Sequence, residues 1–318
     1  MPITMDKQKK PPKPLPVQPR YTLAQTMAKF SSEDECKAYI RDLRWPDGVV
    51  TCPRCKDSHV HPVGKKPFHW QCRKCNKNAY RFSVTTGTIF ENTKYPLVTW
   101  FQVAYLMCQS KKGMSALQIH RQIGSGSYET AWYMCTRIRA AMRNHTFEKL
   151  IGEVEADETW IGGKDKNKHV GKREYRKGKG YGGGVFSNKT MVIGAISRKG
   201  NVVCQMIEEA GFDTLQNFVK ESVSQKVTLM ATDENPAYRH LGAHGFVHKT
   251  VNHSKEQYVV GAIHTNTIEG FWSLLKRGIV GTYHKFSRDY LPLYLNEFTF
   301  RYNHRENPDI FRELLSRV

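Results

Sequence analysis

Two C-x-x-C pairs constrain this chain more than any other feature of its sequence. The motif CPRC occupies residues 52–55, CRKC occupies residues 72–75, and residues 56–71 separate them. This spacing is typical of a tetrahedral zinc site with four thiolate ligands, in which no position stays open and the metal is structural. The surrounding segment, residues 51–84, is too small to be held together by burial. The sequence therefore predicts a zinc ribbon that binds one Zn²⁺ through Cys52, Cys55, Cys72 and Cys75.

Other uses of these cysteines are possible. A disulfide or unrelated thiols would explain the same residues, although a reducing compartment disfavours both. Three histidines between the pairs could replace a thiolate, but we expect them on the surface: His59, His61 and His69. The remaining cysteines have no metal-ligand spacing and are expected in the core: Cys36, Cys108, Cys135 and Cys204.

The charge of the chain indicates a polyanionic partner. Its 318 residues include 49 Lys and Arg against 29 Asp and Glu, a formal net charge of +20. Such an imbalance favours nucleic acid, with a ribosome-associated or merely basic surface as the alternative. No apolar run approaches the roughly 20 residues of a membrane helix, and the polar N-terminus does not resemble a signal peptide. We therefore expect no membrane partner and a cytoplasmic, nucleoid-associated location in a bacterium.

The first half of the chain divides into three segments. Residues 1–20 predict a disordered basic tail, because lysine and proline dominate it. Residues 21–92 predict the zinc ribbon with a preceding helix over residues 23–43, and residues 93–149 predict a helical region. Residues 114–143 fit a helix-turn-helix whose second helix would present Arg137 and Arg139 to DNA. An ordinary helical hairpin is the alternative.

Residues 150–310 alternate between strand and helix patterns, which is typical of an α/β architecture. We predict strands at residues 153–160, 190–197, 201–208 and 227–232, with a helix at 213–223. Further helices are expected from residue 266 and over residues 288–302. Three strands, a helix, a strand and a helix form the opening order of a ribonuclease-H-like fold. We therefore expect a ribonuclease-H-like domain, with a mixed sheet flanked by helices.

Three acidic residues lie at the ends of these predicted elements. Asp157 ends the first strand, Asp233 follows the fourth, and Glu269 opens the helix from residue 266. Clustered carboxylates repel one another unless divalent cations neutralise them, so this arrangement predicts two Mg²⁺ or Mn²⁺ ions for phosphoryl transfer. Lys276 follows Glu269 by seven residues and shares its helical face, where it would hold substrate phosphate. Glu158 should point to the opposite side of the strand and is not expected to bind metal.

These residues carry a resemblance to a known family. Two aspartates, a glutamate after 35 intervening residues and a lysine seven residues later resemble the DDE transposases and retroviral integrases. More narrowly, the chain resembles the bacterial insertion-sequence transposases with an ISXO-like domain, relatives of the Merlin elements. The motifs are CPRC, CRKC, RFSVTTGTIFE, ADETWIGGK and HTNTIEGFWSLLKRGI, and the likeness extends from about residue 30 to 305.

The resemblance implies a DNA transposase. It implies strand cleavage at the terminal inverted repeats of an insertion sequence and attack of the freed 3′-hydroxyl on target DNA. It maps the catalytic acids onto Asp157, Asp233 and Glu269. Some members of this group have Asn as the third residue, so Asn266 is a rival to Glu269. A homodimer or larger synaptic complex on double-stranded DNA is expected, because two element ends must be held together.

A basic segment lies between the first two predicted strands. Residues 164–189 carry nine Lys or Arg against two acids, with interleaved glycines. As a loop over residues 162–189 it could clamp the DNA backbone, and a solvated hairpin is the alternative. The candidate DNA contacts there are Lys164, Lys172, Arg173, Arg176 and Lys177. Near the third acid, secondary candidates for contacts with unpaired DNA are His264, Trp272 and His284.

Two other functions fit part of this pattern. A catalytically inactive DNA-binding regulator derived from a transposase would keep the ribbon and the charge, and a zinc-ribbon nuclease would share the metal chemistry. The complete set of acids favours the active transposase, because loss of an acid would be the signature of the regulator.

Overall fold

The computed structural model describes residues 18–75, 78–144, 148–162, 189–239, 241–251, 264–285 and 287–318. The candidate DNA contacts in the basic segment, Lys164, Lys172, Arg173, Arg176 and Lys177, lie outside these residues. So does the predicted tail, apart from residues 18–20. None of the helices in the described ranges is long and apolar enough to span a bilayer.

Two short helices precede the ribbon. Helix α1 spans Leu23–Lys29 and α2 spans Glu33–Arg44, and each begins with a capping box, Thr22 with Gln25 and Ser32 with Glu35. The second cap divides the single helix predicted over residues 23–43, because Ser32 adopts an extended backbone conformation and starts a new helix.

The ribbon itself is a small antiparallel sheet. Strands β1 (Val60–Pro62), β2 (His69–Cys72) and β3 (Tyr80–Ser83) follow one another in that order. The ribbon packs on α2 through aromatic contacts, since the rings of Trp45 and Trp70 meet edge to face at 5.4 Å. Its two thiolate-bearing knuckles are therefore attached to a core shared with the helices.

Three further helices complete the first half. They are α3 (Leu97–Gln109), α4 (Ala116–Ile123) and α5 (Tyr128–Ala141). Helix α4 ends at Ile123, and the left-handed φ of 62° at the capping residue Gly124 permits the tight turn toward α5. The predicted helix, turn and helix are thus present. The last helix of the chain, α9 (Ile310–Ser316), buries Phe311 and Leu314 in the same core.

The second half is a mixed five-stranded sheet flanked by helices. Its strands are β4 (Glu153–Ile161), β5 (Thr190–Ser197), β6 (Val202–Ile207), β7 (Leu229–Thr232) and β8 (His248–Thr250). The order across the sheet is β6-β5-β4-β7-β8. Strand β5 runs antiparallel to β4 and β6, whereas β4, β7 and β8 are parallel. Four of the strands match the predicted ranges closely, and β8 was not predicted.

Helices cover both faces of this sheet. Helix α6 (Phe212–Ser222) packs on one face, where Leu215 and Val219 contact a core that includes Val154 of β4. Helices α7 (Asn266–Gly278) and α8 (Leu291–Asn303) cover the other face, where Phe271 and Phe298 are buried. Because α7 lies against β4, residues of that helix can face the end of that strand.

Candidate active site

Asp157 and Asp233 lie at the ends of two neighbouring parallel strands. Strands β4 and β7 pair in parallel with Glu155 opposite Ala231, and Asp157 and Asp233 each lie two residues beyond that pair. Strand β7 ends at Thr232, and Asp233 follows it directly. The strand pairing therefore brings together two acids that are far apart in the sequence.

A third carboxylate belongs to this group. Oxygens of Asp157, Glu158 and Asp233 all lie within 4.8 Å of one another. The side chains of β4 do alternate, because Asp157 accepts a hydrogen bond from Trp272 on one face and Glu158 accepts one from Tyr238 on the other. The prediction that Glu158 points to the other side of the strand is therefore confirmed, yet its carboxylate still lies close to those of Asp157 and Asp233. Asp233 lies beyond the end of β7, where the carboxylates from both faces can approach it.

Burial and mutual repulsion perturb these acids. Burial and the charge of Asp233 raise the pKa of Asp157 to about 6. Burial also raises the pKa of Glu158 to about 7, together with the charges of Asp233 and Asp157 and against the hydrogen bond from Tyr238. Such a cluster is unfavourable without a compensating cation. Its donors are all carboxylate oxygens, which suits a hard divalent ion such as Mg²⁺ or Mn²⁺.

An open cleft of about 570 Å³ separates the end of β4 from α7. Asp157 and Thr159 line it from the strand, and Glu269 and Lys276 line it from the helix. Glu269 is not one of the three clustered carboxylates, but its charge adds to the raised pKa of Asp157. Its rival Asn266, the exposed first residue of α7, is not among the residues that line the cleft.

The four ribbon cysteines converge as a metal site requires. Their sulfur atoms lie within 4.8 Å of one another, with Sγ–Sγ distances of 3.6 Å for Cys52–Cys75 and for Cys55–Cys72. A zinc ion with Zn–S bonds of about 2.3 Å in a tetrahedron would separate its sulfurs by about 3.8 Å. The donor set and spacing therefore fit Zn²⁺. In the first knuckle, the backbone N–H of Lys56 donates to the carbonyl of Cys52, with Lys56 in the left-handed conformation.

Two models of known protein families match segments of this chain. Residues 149–303 match the model of the ISXO2-like transposase domain, and residues 31–78 match that of the transposase zinc-ribbon domain. Both matched models describe transposase domains, with the zinc ribbon before the ISXO2-like domain in the chain. The resemblance inferred from the sequence motifs is confirmed.

A relative from a mobile element covers nearly the same length. The chain is 26% identical over 280 residues to an uncharacterized protein in transposable element ISH50 of Halobacterium salinarum, a match that covers 86% of this chain and 91% of the relative. A solved structure, the simian T-cell lymphotropic virus intasome in complex with PP2A regulatory subunit B56 gamma, matches with a TM-score of 0.28 and 11% identity. That match covers 63% of this chain and 65% of the viral structure's chain, less than two thirds of it.

The transposase zinc ribbon and the acid cleft are separate sites with separate chemistry. The family match and the four converging thiolates together support a structural zinc ion in the ribbon. The open cleft between β4 and α7, by contrast, offers carboxylates beside the cations Lys276 and Arg277. Its composition suits a phosphodiester together with divalent metal.

The two arginines proposed to contact DNA from α5 have different surroundings. Arg137 is half-buried. Its guanidinium lies 5.4 Å from the ring centre of Tyr133, an exposed residue one turn earlier on α5. Arg139 is only 2% exposed and donates to Glu297 of α8 at 2.6 Å. The prediction that Arg139 contacts DNA is wrong, because α8 supplies a buried partner that the local sequence of α5 does not reveal.

Trp272 and His264 also serve a different purpose from the one predicted. Trp272 is 4% exposed, and its Nε1 donates to Asp157 at 3.1 Å. The ring fits because residue 194 is glycine, where an added Cβ would lie 2.6 Å from Cη2 of the indole. His264 has its Nδ1 3.1 Å from the carboxylate of Glu155. Neither side chain is an exposed platform for unpaired bases, whereas His284 is exposed.

Sequence reasoning did not single out Glu155 or identify the role of Trp272. Glu155 is completely buried two residues before Asp157 and faces α7. The available signal was an acidic residue at an inward position of a strand, which requires a buried partner. That partner is the start of α7, more than a hundred residues later, and the sequence alone gave no reason to connect the two.

Proposed function

We propose that this chain is a DDE-type DNA transposase that cleaves DNA at the terminal inverted repeats of an insertion sequence and joins the ends to target DNA. The observation that carries the proposal is one cleft in which Asp157 faces Glu269, with Asp233 beside Asp157, inside a transposase domain. Carboxylates from two adjacent strands and from a helix are a donor set suited to metal-dependent phosphoryl transfer.

The proposed fold of the domain is ribonuclease-H-like. Three antiparallel strands, β6-β5-β4, continue into the parallel strands β7 and β8, and α6 provides the crossover between β6 and β7. This order supports the assignment, because it sets the ends of β4 and β7 side by side at the edge of the cleft. Both strands then contribute an acid from the same end.

Asp157 and Asp233 would hold the metal ions, and Glu269 would complete the set. When bound there, two Mg²⁺ or Mn²⁺ ions would activate the attacking oxygen and stabilise the leaving oxygen of an in-line displacement. Glu269 is favoured over Asn266 because it lines the cleft and bears a charged oxygen. Trp272 would keep the Asp157 carboxylate oriented toward the cleft by its hydrogen bond.

Basic side chains would hold the DNA beside these acids. Lys276 and Arg277 line the cleft from α7 and would contact phosphates next to the reacting bond. Arg137 of the helical hairpin is a further candidate, as are the five basic residues of the loop named above. A charge of +20 favours such a backbone-directed, salt-sensitive interaction. A homodimer or larger synaptic complex is proposed because two element ends must be held together, and the basic charge favours association with the bacterial nucleoid.

A strand-transfer assay tests this function. The purified protein is incubated with Mg²⁺ or Mn²⁺ and oligonucleotides that match the DNA flanking its own gene, and cleaved and joined products are resolved. Replacement of any of the three acids, as Asp157→Asn, Asp233→Asn or Glu269→Gln, should lower the rate by about 10³-fold, because each removes charge at the metals. Asp213→Asn, at an exposed acid in α6, is the matched control and should react normally.

The outcomes separate the candidate functions. Sequence-specific DNA binding without any cleavage by the unmodified protein would favour the inactive regulator. Full activity of the three acid variants would refute the assigned site. If Asn266→Ala is inactive while Glu269→Gln remains active, Asn266 rather than Glu269 is the third catalytic residue.

A further inference from the structure

Glu155 occupies an unusual position for an acidic side chain. It is 0% exposed, in the middle of the sheet, and it lies on the face of β4 that carries Asp157. A buried carboxylate is costly unless charged or polar donors surround it. Glu155 has such donors, and they come from two elements distant in the sequence.

The first donors belong to the beginning of α7. The backbone N–H groups of Thr267 and Ile268 donate to Oε2 of Glu155 at 2.8 and 3.0 Å, and the hydroxyl of Thr267 donates to Oε1 at 2.8 Å. The first N–H groups of a helix have no partner within the helix. Thr265, at the N-cap, makes no side-chain cap bond. The cap of α7 is therefore supplied by a strand.

The second donor is Arg198, in the turn between β5 and β6. Its Nε donates to Oε1 of Glu155 at 2.7 Å, and its Nη2 donates to the carbonyl of His264 at 3.0 Å. Arg198 thus neutralises Glu155 and also binds the backbone just before α7. The Glu155 carboxylate therefore binds the start of α7 directly and also binds Arg198, which holds the backbone just before the helix.

This anchor lies next to the candidate site. Glu269 directly follows Ile268, whose N–H binds Glu155, while Asp157 lies two residues after Glu155 on the same face of β4. Farther along α7, Trp272 donates to Asp157. Strand and helix are therefore joined at two points, and Glu269 lies between those points on the helix.

We propose that Glu155 is a positioning residue that holds α7 so that Glu269 faces Asp157 across the cleft. Because Glu155 is fully buried against the start of α7, it would act through the helix that it caps. The proposal rests on the proposed function for its catalytic consequence. The structural part, that Glu155 fixes the start of α7, stands independently of catalysis.

The variant Glu155→Gln tests both parts. The amide keeps the shape of the side chain, but its NH₂ group cannot accept a hydrogen bond from the helix N–H groups. Glu153→Gln is the matched control, because Glu153 also binds Arg198 from β4 but is half-exposed and is not among the partners of α7. Amide hydrogen exchange over residues 266–272 is measured in the full chain. We expect about tenfold faster exchange in Glu155→Gln, as for loss of a strong cap, and no change in Glu153→Gln.

A double-mutant cycle tests the catalytic part. Glu155→Gln should reduce the turnover of DNA cleavage by about 100-fold with DNA affinity unchanged, because a small displacement of a reacting group is sufficient for such a loss. If Glu155 acts through Glu269, the double variant with Glu269→Gln should be no slower than Glu269→Gln alone. Additive losses would overturn this part, since they would indicate independent roles.

The controls keep the two proposals distinguishable. If the unmodified protein cleaves no DNA, the proposed function fails while hydrogen exchange still decides the role of Glu155. Unchanged exchange over residues 266–272 in Glu155→Gln would overturn the positioning role even in an active enzyme. If Glu155→Gln fails to fold, Thr267→Val is used instead, because it removes one hydrogen-bond donor to Glu155 and keeps the buried carboxylate. The positioning role then requires amide exchange over residues 266–272 to be a few-fold faster in Thr267→Val.

Discussion

Replacing Glu297 with glutamine should destabilise the chain by removing the centre of a buried ion network. Glu297 of α8 is 0% exposed and accepts from Arg139 of α5 at 2.6 Å, from Arg301 and, at 2.8 Å, from the hydroxyl of Tyr283. One carboxylate thus serves two guanidinium groups, which are themselves 2% and 8% exposed. The network joins the helical hairpin to the sheet domain.

The expected loss of stability follows from the two arginine charges that Glu297→Gln would leave without a counter-ion. Among the described residues, Nη2 of Arg139 and both Nε and Nη2 of Arg301 have no hydrogen-bond partner even with Glu297 present. Glu297→Gln would leave both positive charges buried without a counter-ion. Removing one member of a buried ion pair costs about 3–5 kcal/mol. With an unfolding entropy of about 2.1 cal/mol/K per residue over 318 residues, we therefore expect the Tm to fall by about 4–8 °C.

Thermal unfolding followed by circular dichroism measures this loss. Glu208→Gln is the matched control, because Glu208 forms an exposed ion pair with Arg288 at 3.1 Å and should leave the Tm nearly unchanged. Equal Tm values for Glu297→Gln and the unmodified chain would refute the reasoning. That result would mean that the arginines find other partners or that the network is not buried in solution.

The pH dependence of this difference provides an independent check. Burial alone would raise the pKa of Glu297, but the charges of Arg301 and Arg139 outweigh it and hold the pKa below its ordinary value of 4.5. A carboxylate with a lowered pKa in the folded state contributes stability above pH 4.5 and loses it as the pH falls below that value. The Tm difference between the two proteins should therefore shrink progressively below pH 4.5, and a constant difference would contradict the assignment.

Two further predictions concern the zinc site and the support of Asp157. Elemental analysis should find about one zinc per chain. Cys72→Ser should release it, whereas Cys204→Ser, outside the ribbon, should retain it; zinc bound by both variants would disprove the four-thiolate site. Gly194→Ala should displace the indole of Trp272, whose Cη2 lies 2.6 Å from the added Cβ, and lower stability by about 1–3 kcal/mol. Denaturant unfolding measures that loss, and Gly242→Ala, where an added Cβ meets no atom within 4 Å, is the control.

Much of the architecture was predictable because it depends on local periodicity. The alternation in β4 and β5 and the helical spacing in α6 and α7 placed those elements within a few residues of their observed ends. The prediction that Glu269 and Lys276 share one face of α7 is also confirmed, because both line the cleft while Ile268 and Leu275 are buried. Helix periodicity fixes such a face before any partner is known.

Errors arose where a distant element decides the environment of a side chain. Arg139 resembled a DNA contact because it lies on a helix rich in arginine, but α8 buries it against Glu297. Strand alternation correctly placed Glu158 on the opposite face of β4 from Asp157, but it did not reveal that Asp233, just after β7, lies close to both carboxylates. The strand β8 was missed because its three residues are too few to show a period.

The sequence alone predicted the four converging cysteines, the order of most strands and helices, and the side of α7 that carries Glu269 and Lys276. These properties depend on spacing within short segments, and spacing is written directly in the chain. Only the tertiary structure decided that Glu158 joins Asp157 and Asp233, that Arg139 is internal, and that Glu155 caps α7. Each of those contacts joins elements separated by tens to more than a hundred residues, so it exists only after the strands have paired and the helices have packed.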